Sequence, residues 1–124
     1  MENNDKKLRF AVASKTGKVV DLHFGHTTEF YIYDYNQGKA EFIEKRDVNK
    51  YCDGKEGSED ENKFDNILKV LGDCNGVIAL RIGNSPTMKL KNKNIDAYMS
   101  CDLIEDAIIK AATNANDILK VSVE

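Results

Sequence analysis

Apolar residues recur at two different spacings in this chain, and the change between them falls near its middle. Leu8-Arg-Phe10-Ala-Val12-Ala-Ser14 is a short, partly alternating run, as expected where successive side chains point to opposite faces of a sheet. Thr16-Gly17-Lys18 marks a turn, and Val19 to Leu22 is a short extended piece. Glu29 to Tyr35 is crowded with aromatic and β-branched residues and predicts a strand. Asn36-Gln37-Gly38-Lys39 has the composition of a hairpin turn, and Ala40 to Val48 is the returning strand.

From Tyr51 to Asn62 the periodicity vanishes into an acidic loop headed by Cys52. Helical spacing follows at Phe64-x-x-Ile67-Leu68-x-x-Leu71, with Gly72 as a stop. Gly76 to Leu80 reads as a buried strand. Ile82-Gly83-Asn84-Ser85-Pro86 turns into a second helix running to about Lys91, with Pro86 expected at its first position. Ile95 to Met99 is another strand. Asp102-Leu-Ile-Glu105 has capping-box spacing and opens a third helix through about Thr113. Ile118 to Val123 fits either a last strand or a tail.

This order predicts an α/β fold in which a mixed sheet, parallel in its second half, carries helices on both faces. Residues 8–124 form one domain behind a polar tail at 1–7, and no linker or repeat divides them. A chain of 124 residues suffices for one core. No apolar run approaches the roughly 20 residues that span a bilayer. Met1 to Lys7 lacks the apolar segment of a secretory signal, so the expected location is the cytoplasm, away from membranes. A net charge of −3, with Lys and Arg scattered, offers no face for nucleic acid.

The chain has two histidines, and both lie in Asp21-Leu22-His23-Phe24-Gly25-His26. Imidazole is the commonest metal ligand. A helix would put both rings on one face, an extended strand would put them on opposite faces, and Gly25 favours a tight loop at the sheet edge. Spacing alone leaves open two ordinary histidines at a strand end, because H-x-x-H fixes no third ligand. Cys52, Cys74 and Cys101 form no C-x-x-C pair and are expected as free thiols in a reducing compartment. Cys52, at the head of its loop, is placed where a thiol can be exposed and reactive, and an incidental loop cysteine stays open on the residues alone. Cys74 and Cys101 are expected as small buried hydrophobes.

Arg81 to Pro86 sits where open α/β sheets place ligands, at the carboxyl end of a strand leading into a helix N-terminus. Arg81 adds a fixed positive charge there. Paired carboxylates, a nucleophile elbow, a phosphate loop and a dinucleotide fingerprint are all missing from the sequence, so no residue set nominates an enzyme.

Taken in order, Val12-Ala-Ser, His23-Phe-Gly-His26-x-x-Glu-Phe30-x-Ile32-Tyr33, Tyr51-Cys52-x-Gly54, Leu71-x-Asp73-Cys74 and Arg81-Ile82-Gly83 form a recognisable set. The pattern resembles the dinitrogenase iron–molybdenum cofactor biosynthesis family, from about Leu8 to Thr113. That family includes small standalone carriers and the C-terminal domain of the radical-SAM maturase of the nitrogenase cofactor. The resemblance implies a ribonuclease-H-like fold with a mixed five-stranded sheet. It also implies transient binding and transfer of an iron–sulfur cluster or iron–molybdenum cofactor precursor, without catalysis.

By position, His23, His26 and Cys52 fall on the family's motifs and become the expected ligands. Arg81 is expected beside the cofactor, while Cys74 aligns without a clear role. A preformed cluster needs only one or two exchangeable protein ligands, and such clusters are anionic. Arg81, Lys15 or a helix N-terminus would supply the local attraction. The expected partners are cofactor-assembly or acceptor proteins, and the expected state is a monomer or weak dimer. Two other readings stay open on the residues. One is a zinc-dependent hydrolase with an acidic third ligand; the other is a metal-free interaction module.

Overall fold

The computed structural model describes residues 7–48, 67–113 and 119–120. Of the sequence expectations, the polar tail (save Lys7), the acidic loop with Cys52 and the start of the helix expected from Phe64 lie outside them. Strands β1 (Leu8–Ala13), β2 (Glu29–Asn36) and β3 (Lys39–Asp47) form an antiparallel meander. Its hairpin turns at Gln37 and Gly38, both at positive φ (53° and 83°), the backbone that matches the twist of a two-residue hairpin. Helical residues 67–70 then lead to β4 (Gly76–Ala79), α1 (Asn84–Lys91), β5 (Asp96–Met99), α2 (Ile104–Thr113) and β6 (Leu119–Lys120).

The strands line up as β3-β2-β1-β4-β5-β6. The β1–β4 and β4–β5 pairs are parallel and the rest antiparallel, as the strand–helix alternation predicts for the second half. The five expected strands are β1 to β5. The last-strand alternative is realised as two-residue β6 on the β5 edge.

Alternation within each strand divides the core in two. Ala11, Ala13, Val77, Ala79 and Ala97 face one side, where they join Phe24, Phe30, Ile67, Leu71 and Leu90. Small residues at the sheet centre let α1 and the 67–70 helix approach closely. Phe10, Val12, Ile78 and Tyr98 face the other side and pack on Ile104, Ala107, Ile108 and Ala111, the i, i+3, i+4, i+7 stripe of α2. Gly76 sits under this layer, where a Cβ would lie 2.8 Å from the Phe10 ring and 3.2 Å from that of Tyr98.

Two helix starts differ from expectation. Gly83 caps α1, so Pro86 is its third residue and not its first. Proline is tolerated there because the first four N–H groups of a helix have no partner within it. At α2 the Ile104 N–H is taken by the Lys18 carbonyl at 3.0 Å. Asp102 does not cap in the expected way; its Oδ2 receives Lys110 Nζ at 2.9 Å.

Among the described residues, one acidic side chain is buried. The side chain of Asp34 is 6% exposed and accepts two hydrogen bonds from Arg9, from Nε at 2.6 Å and Nη2 at 3.0 Å. Arg9 also reaches Asp73 (2.8 Å), which is gripped in turn by both Nη atoms of Arg46 at 2.7 and 3.0 Å. This chain of fork-shaped pairs ties β1, β2 and β3 to the turn after residues 67–70. The guanidinium of Arg9 holds the Asp34 carboxyl below the usual carboxylate range, and those of Arg46 and Arg9 do the same for Asp73.

Because both folded values are depressed, their stabilisation is full above about pH 4 and is lost as pH falls through the lowered values. Arg9→Ala strands a buried carboxylate and is expected to cost about 2–3 kcal/mol in urea unfolding at pH 7. Asp34→Asn should flatten the loss of stability below about pH 4, measured by the same unfolding at stepped pH.

Candidate functional site

His23 and His26 lie on a single 3-10 turn, Phe24–His26, with His23 as its cap. Three residues per turn set positions i and i+3 above one another. The two imidazoles accordingly meet edge to face, with ring centroids 5.7 Å apart, and both residues are exposed. The spacing alone left their geometry undecided; the tight turn at Gly25 decides it.

Local chemistry explains the turn. Phe24 is buried and its ring lies 5.8 Å from that of Phe30. Buried Thr27 turns its hydroxyl back to the His23 carbonyl at 2.7 Å, and the His26 N–H donates to the same carbonyl at 3.1 Å. The segment is then fastened to β4. The Leu80 N–H donates to the Leu22 carbonyl at 2.9 Å and the Phe24 N–H to the Arg81 carbonyl at 2.8 Å. His23 thereby stands opposite Arg81 in a parallel bridge. Upstream, Asp21 Oδ1 accepts the Lys15 N–H at 2.8 Å and braces the loop that arrives from β1.

Between the histidine turn and the start of α1 lies an open groove of about 490 Å³, lined by His23, Phe24, Gly25, His26, Arg81, Ile82, Gly83 and Pro86. One wall is imidazole, the other is the helix start. Gly83 supplies no side-chain cap, and the Thr87 hydroxyl turns back to its carbonyl at 2.7 Å. Arg81 and the positive end of α1 favour an anionic occupant. The sequence marked the Arg81–Pro86 segment and the histidine turn separately; the β4–α1 turn is what sets Ile82 and Pro86 opposite the histidines.

The family model for the dinitrogenase iron–molybdenum cofactor matches residues 6–114. The chain belongs to this family. It is 39% identical over 99 residues to the FeMo cofactor biosynthesis protein NifB of Frankia alni, covering 79% of this chain. Against the protein of the same name from Klebsiella pneumoniae the identity is 37% over 89 residues, 69% of this chain. In both cases the match spans 19% of the relative's length. The apo form of the orange protein of Desulfovibrio gigas shares the fold, with a TM-score of 0.61 at 15% identity over 95% of this chain and 96% of that one.

The expected ligand set is therefore brought together in part. His23, His26 and Arg81 share the groove. Cys52 lies outside the described residues, and among those residues no three His, Cys, Asp or Glu side chains converge as around a single metal ion. Cys74 is elsewhere, buried as expected, and its thiol is pushed up to about 12 by burial and the neighbouring Asp73 carboxylate. Cys101 corrects its expectation: it is exposed, because it follows the end of β5 instead of entering the core.

Thr27→Val keeps the shape of the buried residue and removes its bond to His23. Chemical unfolding should show a loss of about 1 kcal/mol, and the imidazole resonances of both histidines should shift. Unchanged imidazole resonances would show that Thr27 does not position the pair.

Proposed function

We propose that this protein binds an iron–sulfur metallocofactor or its precursor during nitrogenase-type cofactor biosynthesis and passes it on, acting as a carrier and not as a catalyst. The observation that carries this reading is the pair of exposed imidazoles, held 5.7 Å apart on a clamped turn, beside Arg81 and a groove open to solvent. A cluster brings its own sulfides, so it needs few protein ligands. Imidazole is a weaker partner for iron than thiolate, which suits a cargo that must leave again. The positive groove wall supplies attraction that a chain with net charge −3 lacks as a whole.

Cys52, at the head of its loop, is the further ligand we assign by its place in the family's Tyr-Cys motif. The donors and acceptors of the cargo are cofactor-assembly proteins of the cytoplasm, met by a monomer or weak dimer. The strand order, with one antiparallel meander beside parallel β1, β4 and β5, supports kinship with ribonuclease-H-like folds. A mononuclear zinc hydrolase takes three protein ligands around one ion, whereas the described residues gather two imidazoles.

Anaerobic titration of the full chain with isolated iron–molybdenum cofactor, followed by visible absorption, tests the reading. His23→Ala and His26→Ala should each weaken uptake about tenfold or more without changing the far-UV circular dichroism. A double variant that binds as tightly as the parent would remove the imidazoles from the ligand set.

A further inference from the structure

We infer that Gly83 is the contact position on which an iron–sulfur cargo rests in the groove, its missing side chain leaving room that the cluster fills. This rests on the carrier reading above. It adds to the proposed ligands a residue that sets how closely the cargo can approach the wall facing the imidazoles.

The fold does not ask for glycine at this place. A glycine is held by a backbone that other residues avoid, or by a neighbour too close for a side chain. Gly38, at a φ of 83°, meets the first demand; Gly76, whose Cβ would lie 2.8 Å from the Phe10 ring, meets the second. Gly83 meets neither. Its φ of −81° and ψ of 174° are extended backbone open to any residue. The nearest atom to a Cβ built there is Pro86 Cδ, at 3.7 Å, an ordinary van der Waals distance.

Local chemistry would even favour another residue. Gly83 is the cap of α1, a position where serine, aspartate or asparagine would accept a bond from a free N–H of the first turn. Glycine makes no such side-chain bond. The chain forgoes helix stability at a point where a side chain would fit. A local rule broken without structural gain marks a functional constraint.

The space that a side chain would take belongs to the groove. Gly83 lines it together with His23, His26, Arg81 and Pro86, and Pro86 is the neighbour that a Cβ would meet. Both walls are pinned. Thr87 is 1% exposed, and its hydroxyl and N–H donate to the Gly83 carbonyl at 2.7 and 3.2 Å. On the other wall Thr27, also 1% exposed, donates its hydroxyl to the His23 carbonyl at 2.7 Å. Each wall is anchored by a buried threonine that bonds back four residues, so bulk added at Gly83 narrows the groove.

The chemistry of the cargo makes that width matter. A lone ion bonds imidazole nitrogen at about 2.1 Å and stays against the rings. A cluster of several metal atoms and bridging sulfides extends beyond them towards the facing wall. There it meets backbone without a projecting side chain. The contact is van der Waals, with no bond to iron and no change of oxidation state.

The test uses the full chain with isolated iron–molybdenum cofactor, titrated anaerobically and followed by visible absorption. Affinity should fall with side-chain size, less in Gly83→Ala and about tenfold or more in Gly83→Val, as when bulk enters a space already filled. Urea unfolding of Gly83→Ala should match the parent, since the backbone suits alanine and the added methyl meets no close neighbour. The imidazole resonances of His23 and His26 should stay in place in both unloaded variants.

If Gly83→Val binds as the parent does while His23→Ala and His26→Ala weaken uptake, the contact is overturned and the carrier reading stands. Loss of affinity with shifted imidazole resonances in the unloaded variant also overturns it, because the effect then travels through the histidine turn. If the parent takes up no cofactor, both readings fall.

Discussion

Two backbone hydrogen bonds organise the functional end of this protein: Leu80 N–H to Leu22 and Phe24 N–H to Arg81. When β1 ends at Ala13 the chain leaves the sheet, and β4 would lose its neighbour just where it emerges. Residues 22–24 return to fill that place. They pair backbone groups at the end of β4 that β1 no longer reaches, and they bury Phe24 against Phe30. The histidine turn is therefore an extension of the sheet and not a free loop. That origin explains how two exposed side chains can be held in fixed relation without a metal between them.

The opposite end of β1 has a different task. There Arg9, Asp34, Asp73 and Arg46 saturate one another, and the nearby Cys74 thiol is buried and held protonated. Charged groups at that end are spent on joining strands and have little capacity left for a ligand. At the groove end, Arg81 and the imidazoles stand exposed, and the wall is a helix start without a side-chain cap. The stabilising ion pairs and the proposed binding site thus lie at opposite ends of the strands, as in open α/β sheets that take ligands at their carboxyl ends.

Much of this was legible in the sequence. Period-two runs gave the meander, the aromatic strand Glu29 to Tyr35 and its turn at Gln37-Gly38 fell where expected, and helix–strand alternation foretold the parallel pairs. The histidines were marked by their mere concentration. What periodicity could not show was where elements begin and end. Pro86 looked like a first helical residue because proline suits that place, yet the chain starts its helix two residues earlier at Asn84. Asp102 had capping-box spacing, but Lys18, from a distant loop, meets the Ile104 N–H first. Cys101 was expected as a small buried hydrophobe, but two residues past the end of β5 it is exposed.

The central claim is that imidazole nitrogen from this turn ligates the cargo. Iron K-edge X-ray absorption of the cluster-loaded full chain measures it at the metal itself. Nitrogen scattering should appear in the first shell of iron and vanish in the chain carrying both His23→Ala and His26→Ala. A first shell of sulfur alone, identical in parent and double variant, would contradict the account.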